Sequence, residues 1–377
     1  MMLRQVHRFV TRLKLKHVVP AAIVLFFLCD IVGLFHYLRA KDYETSFQWP
    51  LEGNILELAT QMRRGETPTL KPINPHDYML VKHSKGKCIQ EDGVHYANLR
   101  LIYLVKSAVD HFEHREVIRK TWGFERRFSD VEIRTVFLLG QRPEQLHLKD
   151  RVMEEYKKHK DILQGDFYDS YFNNTLKTMM GMRWAMEQCP TSRFYFFVDD
   201  DYYVSTRNTL AFLRNPLNYP HYLEDPVVSF DDETFQVRKL QQIVNFDIPT
   251  DAKLLAGFVF RSRPLRQKWS KWYVDVEEYP FHLWPPYVTA GAYIMSRTAL
   301  SDMYFGSYFV KRFRFDDIYL GILAKKLELE LTHCDEFHFH RKPYTVRGYR
   351  HVVASHGFSD PQEMSRVWNQ QKESGNA

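Results

Sequence analysis

The chain has 377 residues, 45% of them hydrophobic and 26% charged. That length suits one large domain or two ordinary ones, and the composition excludes a disordered chain, a collagen and a polytopic membrane protein. Of the net charge of +6, residues 1–38 hold +4, so the body is close to neutral; this argues against a nucleic-acid partner, which needs a basic face. There are only 16 Gly, and neither G-x-G-x-x-G nor G-x-x-x-x-G-K-[ST] occurs, so no glycine-rich phosphate cradle is expected.

Val18 to Leu38 is a 21-residue apolar stretch interrupted by Asp30 and His36. At ~1.5 Å per residue it can cross a ~30 Å hydrocarbon core. Arg4, Arg8, Arg12, Lys14 and Lys16 all precede it. The expectation is a cytosolic tail over 1–17, a transmembrane signal anchor over 18–38 and a lumenal body. A cleaved signal or a buried helix is the alternative. Asp30 is the weak point, because an acid in mid-span costs about 2.5–3.5 kcal/mol. A lumenal body meets oxidising conditions. Cys88, Cys189 and Cys334 then allow one bridge, with the pairing open. The sequon Asn173-Asn174-Thr175 makes Asn173 a candidate glycosylation site.

Residues 39–96 have poor periodicity with scattered proline and charge, which predicts a stem. The lumenal catalytic domain is expected over 97–377. Leu99–Val105 and Ile133–Leu139 read as buried strands, with a short basic helix at Arg115–Trp122 between them. Leu176, Met179, Met180 and Trp184 recur at helical spacing, and Phe194–Val198 is a third buried-type strand. Strands alternating with helices predict an α/β fold with a mostly parallel sheet. Residues 221–250 read as an acidic surface insertion.

The strand Phe194–Val198 runs into Asp199, Asp200 and Asp201. Ligands of open α/β sheets sit off the carboxyl ends of strands. In an extended chain Asp199 and Asp201 share a face and Asp200 points away. Two such charges ~5 Å apart repel by roughly 3 kcal/mol at an effective dielectric of 20. The nearest bases in sequence, Arg193 and Arg207, lie outside the triplet, so a hard divalent cation, Mn²⁺ or Mg²⁺, is the expected remedy. A solvated acidic turn is the plainer reading. A cation held by few carboxylates completes its shell with phosphates, which points to a nucleotide-diphospho ligand. Asp316 and Asp317 open a helix. They read either as acids that favour the helix dipole or as a general base. His356 follows a strand-like run and is by itself an ordinary loop histidine. His333, His338 and His340 beside Cys334 match no common zinc spacing. The aromatic run from Trp269 to Tyr287 reads as core or as an apolar ligand wall.

Seven blocks then stand out together: REVIRKTWG (115–123), VFLLG (136–140), YFNNTLKTMMGMRW (171–184), FYFFVDDDYYV (194–204), WPPYVTAGAYIMS (284–296), FRFDDIYLGI (313–322) and SHGFSDPQEMSRVW (355–368). In this order they resemble the β-1,3-glycosyltransferase family of galactosyl- and N-acetylglucosaminyltransferases, and their wording is nearest its invertebrate glycosphingolipid branch. The resemblance implies a GT-A type nucleotide-sugar domain in a single-pass type II Golgi membrane protein. It assigns Asp317 as catalytic base, Asp201 and His356 as ligands of Mn²⁺ or Mg²⁺, and Asp199 with Asp200 to the nucleotide. Arg115, Arg119, Trp122 and Lys177 match motifs near the donor. The implied reaction is inverting transfer of GlcNAc from UDP-GlcNAc in β-1,3 linkage to the β-mannose of a mannosyl-glucosyl-ceramide. A UDP-Gal-dependent galactosyltransferase and an inactive lumenal binding protein are the alternatives. Two departures from the family pattern stand out: a long 221–250 stretch, and Phe258 where histidine is expected.

Overall fold

The computed structural model describes residues 15–90, 92–97, 99–223, 228–229, 238–239 and 248–377. The basic tail as far as Lys14 and most of the 221–250 stretch therefore lie outside the described residues. The chain divides into two compact units, one of residues 1–48 with 261–284 and one of 49–260 with 285–377.

The strands, in chain order, are β1 (Leu80–His83), β2 (Leu99–Lys106), β3 (Glu132–Gln141), β4 (Ile162–Tyr168), β5 (Phe194–Asp199), β6 (Tyr203–Val204), β7 (Val228–Ser229), β8 (Arg238–Lys239), β9 (Leu255–Phe260), β10 (Tyr287–Ser296), β11 (Thr332–His333), β12 (Phe337–His338) and β13 (Ala354–Ser355). Eight of them form one sheet in the order β1-β4-β3-β2-β5-β10-β9-β11. Its centre, β4-β3-β2-β5, is parallel. β1 and β10 add antiparallel partners at β4 and β5, so the sheet is mixed and mostly parallel. The expected strands are present. Their near-continuous apolar runs suit strands covered on both faces.

Alternation along β2 sends Leu101, Tyr103 and Val105 into one core with Ile118, Trp122, Phe137 and Phe196. The helix Asn174–Gln188 covers the other face. A Cβ on its Gly181 would stand 2.9 Å from Leu138 and 3.1 Å from Phe197, so helix and sheet meet at the limit of contact. The basic helix spans Phe112–Lys120, slightly earlier than its residue pattern suggested.

Within residues 39–96, read from the sequence as a stem, part of the chain packs into the larger unit. The helix Ile55–Arg63 buries Ile55, Leu58 and Ala59 and packs on the helix Arg297–Gly306. β1 extends the sheet beside β4, and Cys88 is bridged to Cys189 at the end of the helix Asn174–Gln188. The short elements and scattered prolines hid this packing, because each contributes only a few apolar side chains.

The smaller unit holds the apolar segment. A 17-residue helix covers Leu15–Ile31; the chain then turns at Val32–Gly33 and resumes as Leu34–Arg39. Among the described residues no helix is long and apolar enough to cross a membrane. The break lies at Gly33, whose φ of 81° and close approach to Arg266 exclude a side chain.

The helix Asp316–Lys326 packs on β10 through Gly321, where a Cβ would meet the Tyr287 Cβ at 2.6 Å and the Pro286 carbonyl at 2.9 Å. Gly321→Ala improves helix propensity yet forces this helix outward. We expect a net loss of about 1–3 kcal/mol and a parallel loss of activity, read by thermal unfolding and turnover.

Candidate active site

The site begins with strand register. Parallel pairing of β2 with β5 sets Lys106 beside Asp199. Lys106 is buried, its ammonium 3.0 Å from Asp199 and 2.9 Å from Asp316, and it donates to the Ala290 carbonyl at 2.8 Å. That carbonyl is available because β10 bulges between Val288 and Tyr293 against β9. Burial alone would lower the Lys106 pKa; the charges of Asp199 and Asp316 outweigh it and hold the ammonium protonated well above the usual lysine value. The cation that the aspartate triplet requires is thus supplied in part by the chain itself. The triplet's sequence neighbours do not reveal it, because Lys106 comes from an adjacent strand. The available signal was a lysine closing an otherwise apolar run.

Asp199 is pushed up to about 7 by burial, against the pull of Lys106. Its side chain keeps a third of its surface exposed, so solvent moderates that push. Asp201 meets His356, Oδ2 to Nε2 at 3.0 Å. The second sheet makes this contact. β13 pairs with β6 directly after the triplet, and the Phe358 N–H donates to the Asp201 carbonyl. The hydrogen bond to Asp201 raises the His356 pKa.

Asp317 lies beside Asp316 at the start of the helix Asp316–Lys326 and accepts the Ile318 N–H at 2.8 Å. It therefore serves the helix terminus, as the plainer reading held. It is also pushed up to about 7, first by burial and then by the charge of Asp316. A carboxyl poised near neutrality suits a general base. Asp199, Asp316 and Asp317 all interact with the Lys106 charge, and Asp201 interacts with Asp199. The four principal residues expected from sequence (Asp199, Asp201, Asp317 and His356) are therefore gathered at the carboxyl ends of β2 and β5.

Asp200 is not part of that face. It is buried and paired to His111 at 2.9 Å. Burial pushes its carboxyl up, but the hydrogen bond from His111 and that ring's charge carry it below the usual range. Its role is to tie the triplet to the turn after β2. Arg115 and Lys177 grip the same turn from beneath. Arg115 is fully buried and donates to Ser107 Oγ and to the carbonyls of Ala108 and Val109, with Glu155 as counter-ion. Lys177 donates to the Ser107 carbonyl at 2.8 Å and pairs with Asp169 at 2.7 Å. Arg119 bonds Asp161 and Glu155. It lines a cavity of about 510 Å³ together with Phe112 and Arg151, and no residue of the triplet lines that cavity. Trp122 is buried against Tyr103. Of these four residues, Arg115 and Lys177 hold the turn, while Arg119 and Trp122 are engaged by Asp161, Glu155 and Tyr103. Their motif marks buried ion pairs, which sequence alone cannot separate from ligand contacts.

Of the remaining candidates, Asn173 donates its amide to the Tyr168 carbonyl, and the sequon's Thr175 is buried against the Phe313 carbonyl. His333 bonds Asp335 and Phe258 packs on Phe339. Among the described residues no group of three or more His, Cys, Asp or Glu could hold a metal ion. The pair Asp201–His356 still fits one as two neighbouring ligands. Donors ~2.1 Å from an octahedral ion stand about 3 Å apart at adjacent corners, and Mg²⁺-like sites fill the rest with water and phosphate.

The family described as Galactosyltransferase matches residues 113–224 and 227–335. The chain is 43% identical over 348 residues to the Drosophila melanogaster protein beta-1,3-galactosyltransferase brn (Brainiac), covering 92% of this chain and 93% of that one. The chain belongs to the Galactosyltransferase family. This transferase is also 29% identical to human beta-1,3-galactosyltransferase 1, over 79% of this chain and 80% of that one. It is likewise 29% identical to Caenorhabditis elegans beta-1,3-galactosyltransferase bre-5, over 89% and 88%. A solved glycosyltransferase involved in glycosylation of the major capsid of PBCV-1 aligns loosely, with a TM-score of 0.33 at 11% identity over 71% of this chain and 98% of that one. The resemblance read from the seven blocks is shown, and the transferase is a β-1,3-glycosyltransferase.

Replacing Lys106 by Met strands buried carboxylates without their cation. We expect a loss of about 3–5 kcal/mol at pH 7. Stability should return in part toward pH 5, as protonation removes the repulsion; thermal unfolding across pH reads both effects.

Proposed function

We propose that this transferase moves GlcNAc from UDP-GlcNAc to the 3-hydroxyl of a β-mannose on a glycosphingolipid, with inversion, on a GT-A type domain. The observation that carries the reading is that Lys106 joins Asp199 at the end of β5 to Asp316, the neighbour of Asp317, while Asp201 of the same triplet meets His356. Asp317 accepts the proton of the acceptor hydroxyl. The freed oxygen attacks C1 of the sugar from the face opposite the diphosphate, the C1–O bond to phosphate breaks, and UDP departs. Asp199 orients the nucleotide, and Lys106 fixes Asp199 and Asp316 relative to each other. A divalent ion held by Asp201 and His356 would neutralise the diphosphate as its charge grows. In this reading the apolar segment read over 18–38 serves as a type II Golgi anchor through its helix Leu15–Ile31, which ends one residue after Asp30, and Asp30 pairs with Lys268 at 2.7 Å.

The choice of GlcNAc and of a β-mannose acceptor rests on the wording of blocks 171–185 and 271–296. The three relatives named above are beta-1,3-galactosyltransferases by name, which favours a second reading with UDP-Gal. Donor profiling of the full chain in detergent, with a mannosyl-glucosyl acceptor and with and without Mn²⁺, separates the two. Turnover with UDP-GlcNAc at least tenfold above UDP-Gal supports the first, and the reverse replaces it.

Asp317→Asn should abolish transfer while UDP binding persists; wild-type turnover would remove the base assignment. Because the folded state holds the Asp317 carboxyl up at about 7, turnover should fall roughly tenfold per pH unit below that point. The same shift makes the ionised form costly to fold. Stability at this position is therefore lost as pH rises from the unfolded carboxyl value toward 7, and Asp317→Asn should melt higher than wild type at pH 8.

A further inference from the structure

The smaller unit contains a loop that none of the chemistry above uses. Residues 261–284 leave the end of β9 and return just before β10. Arg266 is buried at its centre and donates to the carbonyls of Val274, Tyr279 and Phe281. This buried guanidinium ties the loop together beside the buried side chains of Val274, Val276, Tyr279 and Phe281. The loop is clasped to the end of the apolar helix Leu15–Ile31. The Lys268 N–H donates to the Ile31 carbonyl at 3.1 Å, the Lys268 ammonium meets Asp30, and Gly33 lies directly against Arg266.

Its apex, a tight turn with Ser270 bonded to Gln267 and Trp272 to Ser270 Oγ, carries Trp269 at 66% exposure and Trp272 at 50%. The other five tryptophans of the chain are buried. Residues 261–273 carry five Lys and Arg, of which Arg266 is buried and Lys268 is paired to Asp30, and the loop's acids, Asp275, Glu277 and Glu278, all follow Tyr273. The helix to which the apex is fastened exposes Val18, Val19, Ile23, Leu25, Phe26, Phe27 and Leu28. The exposed indoles therefore stand at the end of a continuous apolar surface, with cations beside them. Indole rings and snorkelling lysines in that place are the signature of a membrane–water boundary.

We propose that the loop 261–284 is a second membrane contact, with Trp269 and Trp272 seated at the headgroup level and the neighbouring basic side chains on lipid phosphates. The occupant of this surface is the bilayer. The proposal rests on the reading of 18–38 as an anchor, and the two fail separately.

The test uses the full chain in phosphatidylcholine vesicles whose acyl chains are brominated near the headgroup end, with tryptophan emission as readout. Bromine should quench the wild type, and Trp269→Phe with Trp272→Phe should remove most of the quenchable fraction, because the remaining tryptophans are buried. Equal quenching in wild type and variant overturns the proposal. So does the absence of quenching with a concentration-dependent blue shift, which would mean that a second copy covers the indoles. Alkaline carbonate extraction separates the underlying reading: a chain that washes off the vesicles defeats the anchor, whereas a chain that stays without quenching defeats only the loop contact. The same double variant should keep turnover with a short soluble acceptor and raise KM several-fold for glycolipid presented in vesicles.

Discussion

The site depends on one buried lysine. Lys106 binds Asp199 on one side and Asp316 on the other, and each comes from a different part of the chain. The lysine reaches Asp199 through strand register and Asp316 through a helix pinned to β10. A one-residue slip of β2 against β5 would turn Lys106 to the opposite face. The apolar residues before it prevent that slip, since Tyr103 and Val105 would exchange cores with Ile102 and Leu104. Hydrophobic patterning in the sheet therefore sets the electrostatics of the site.

A buried ammonium among carboxylates costs desolvation on every member, and it is worth holding only where the geometry must be unique. Here it joins Asp199 at the end of β5 to Asp316 at the start of the helix Asp316–Lys326. Two carboxyls, Asp199 and Asp317, are pushed toward neutrality by burial, while Asp200, bonded to His111, goes the other way. Three adjacent aspartates thus have distinct tasks, divided by the partners each one finds.

The strands, the long helix after Asn174 and the position of the DDD triplet at a strand end were legible in the sequence, because periodicity and strand-end carboxylates are local signals. The packing of residues 49–96 was not, since helix Ile55–Arg63 and β1 are too short to show a period and acquire meaning only against the helix Arg297–Gly306 and β4. Lys106 was missed for a related reason: its partners are 93 and 210 positions away. Arg115, Arg119 and Lys177 were marked as important, but their partners Glu155, Asp161 and Asp169 were not legible, for a motif shows that a charge is required without showing what it faces. The apolar segment was read as one span, and Gly33 divides it.

The turn after β2 is held almost wholly through its carbonyl oxygens, by Arg115 at Ala108 and Val109 and by Lys177 at Ser107. A backbone caught in this way imposes little on the side chains above it. Val109 is buried in the core and Asp110 pairs with Arg142, so within this turn Ala108, held through its carbonyl alone, is where a side chain can change while the foundation stays still.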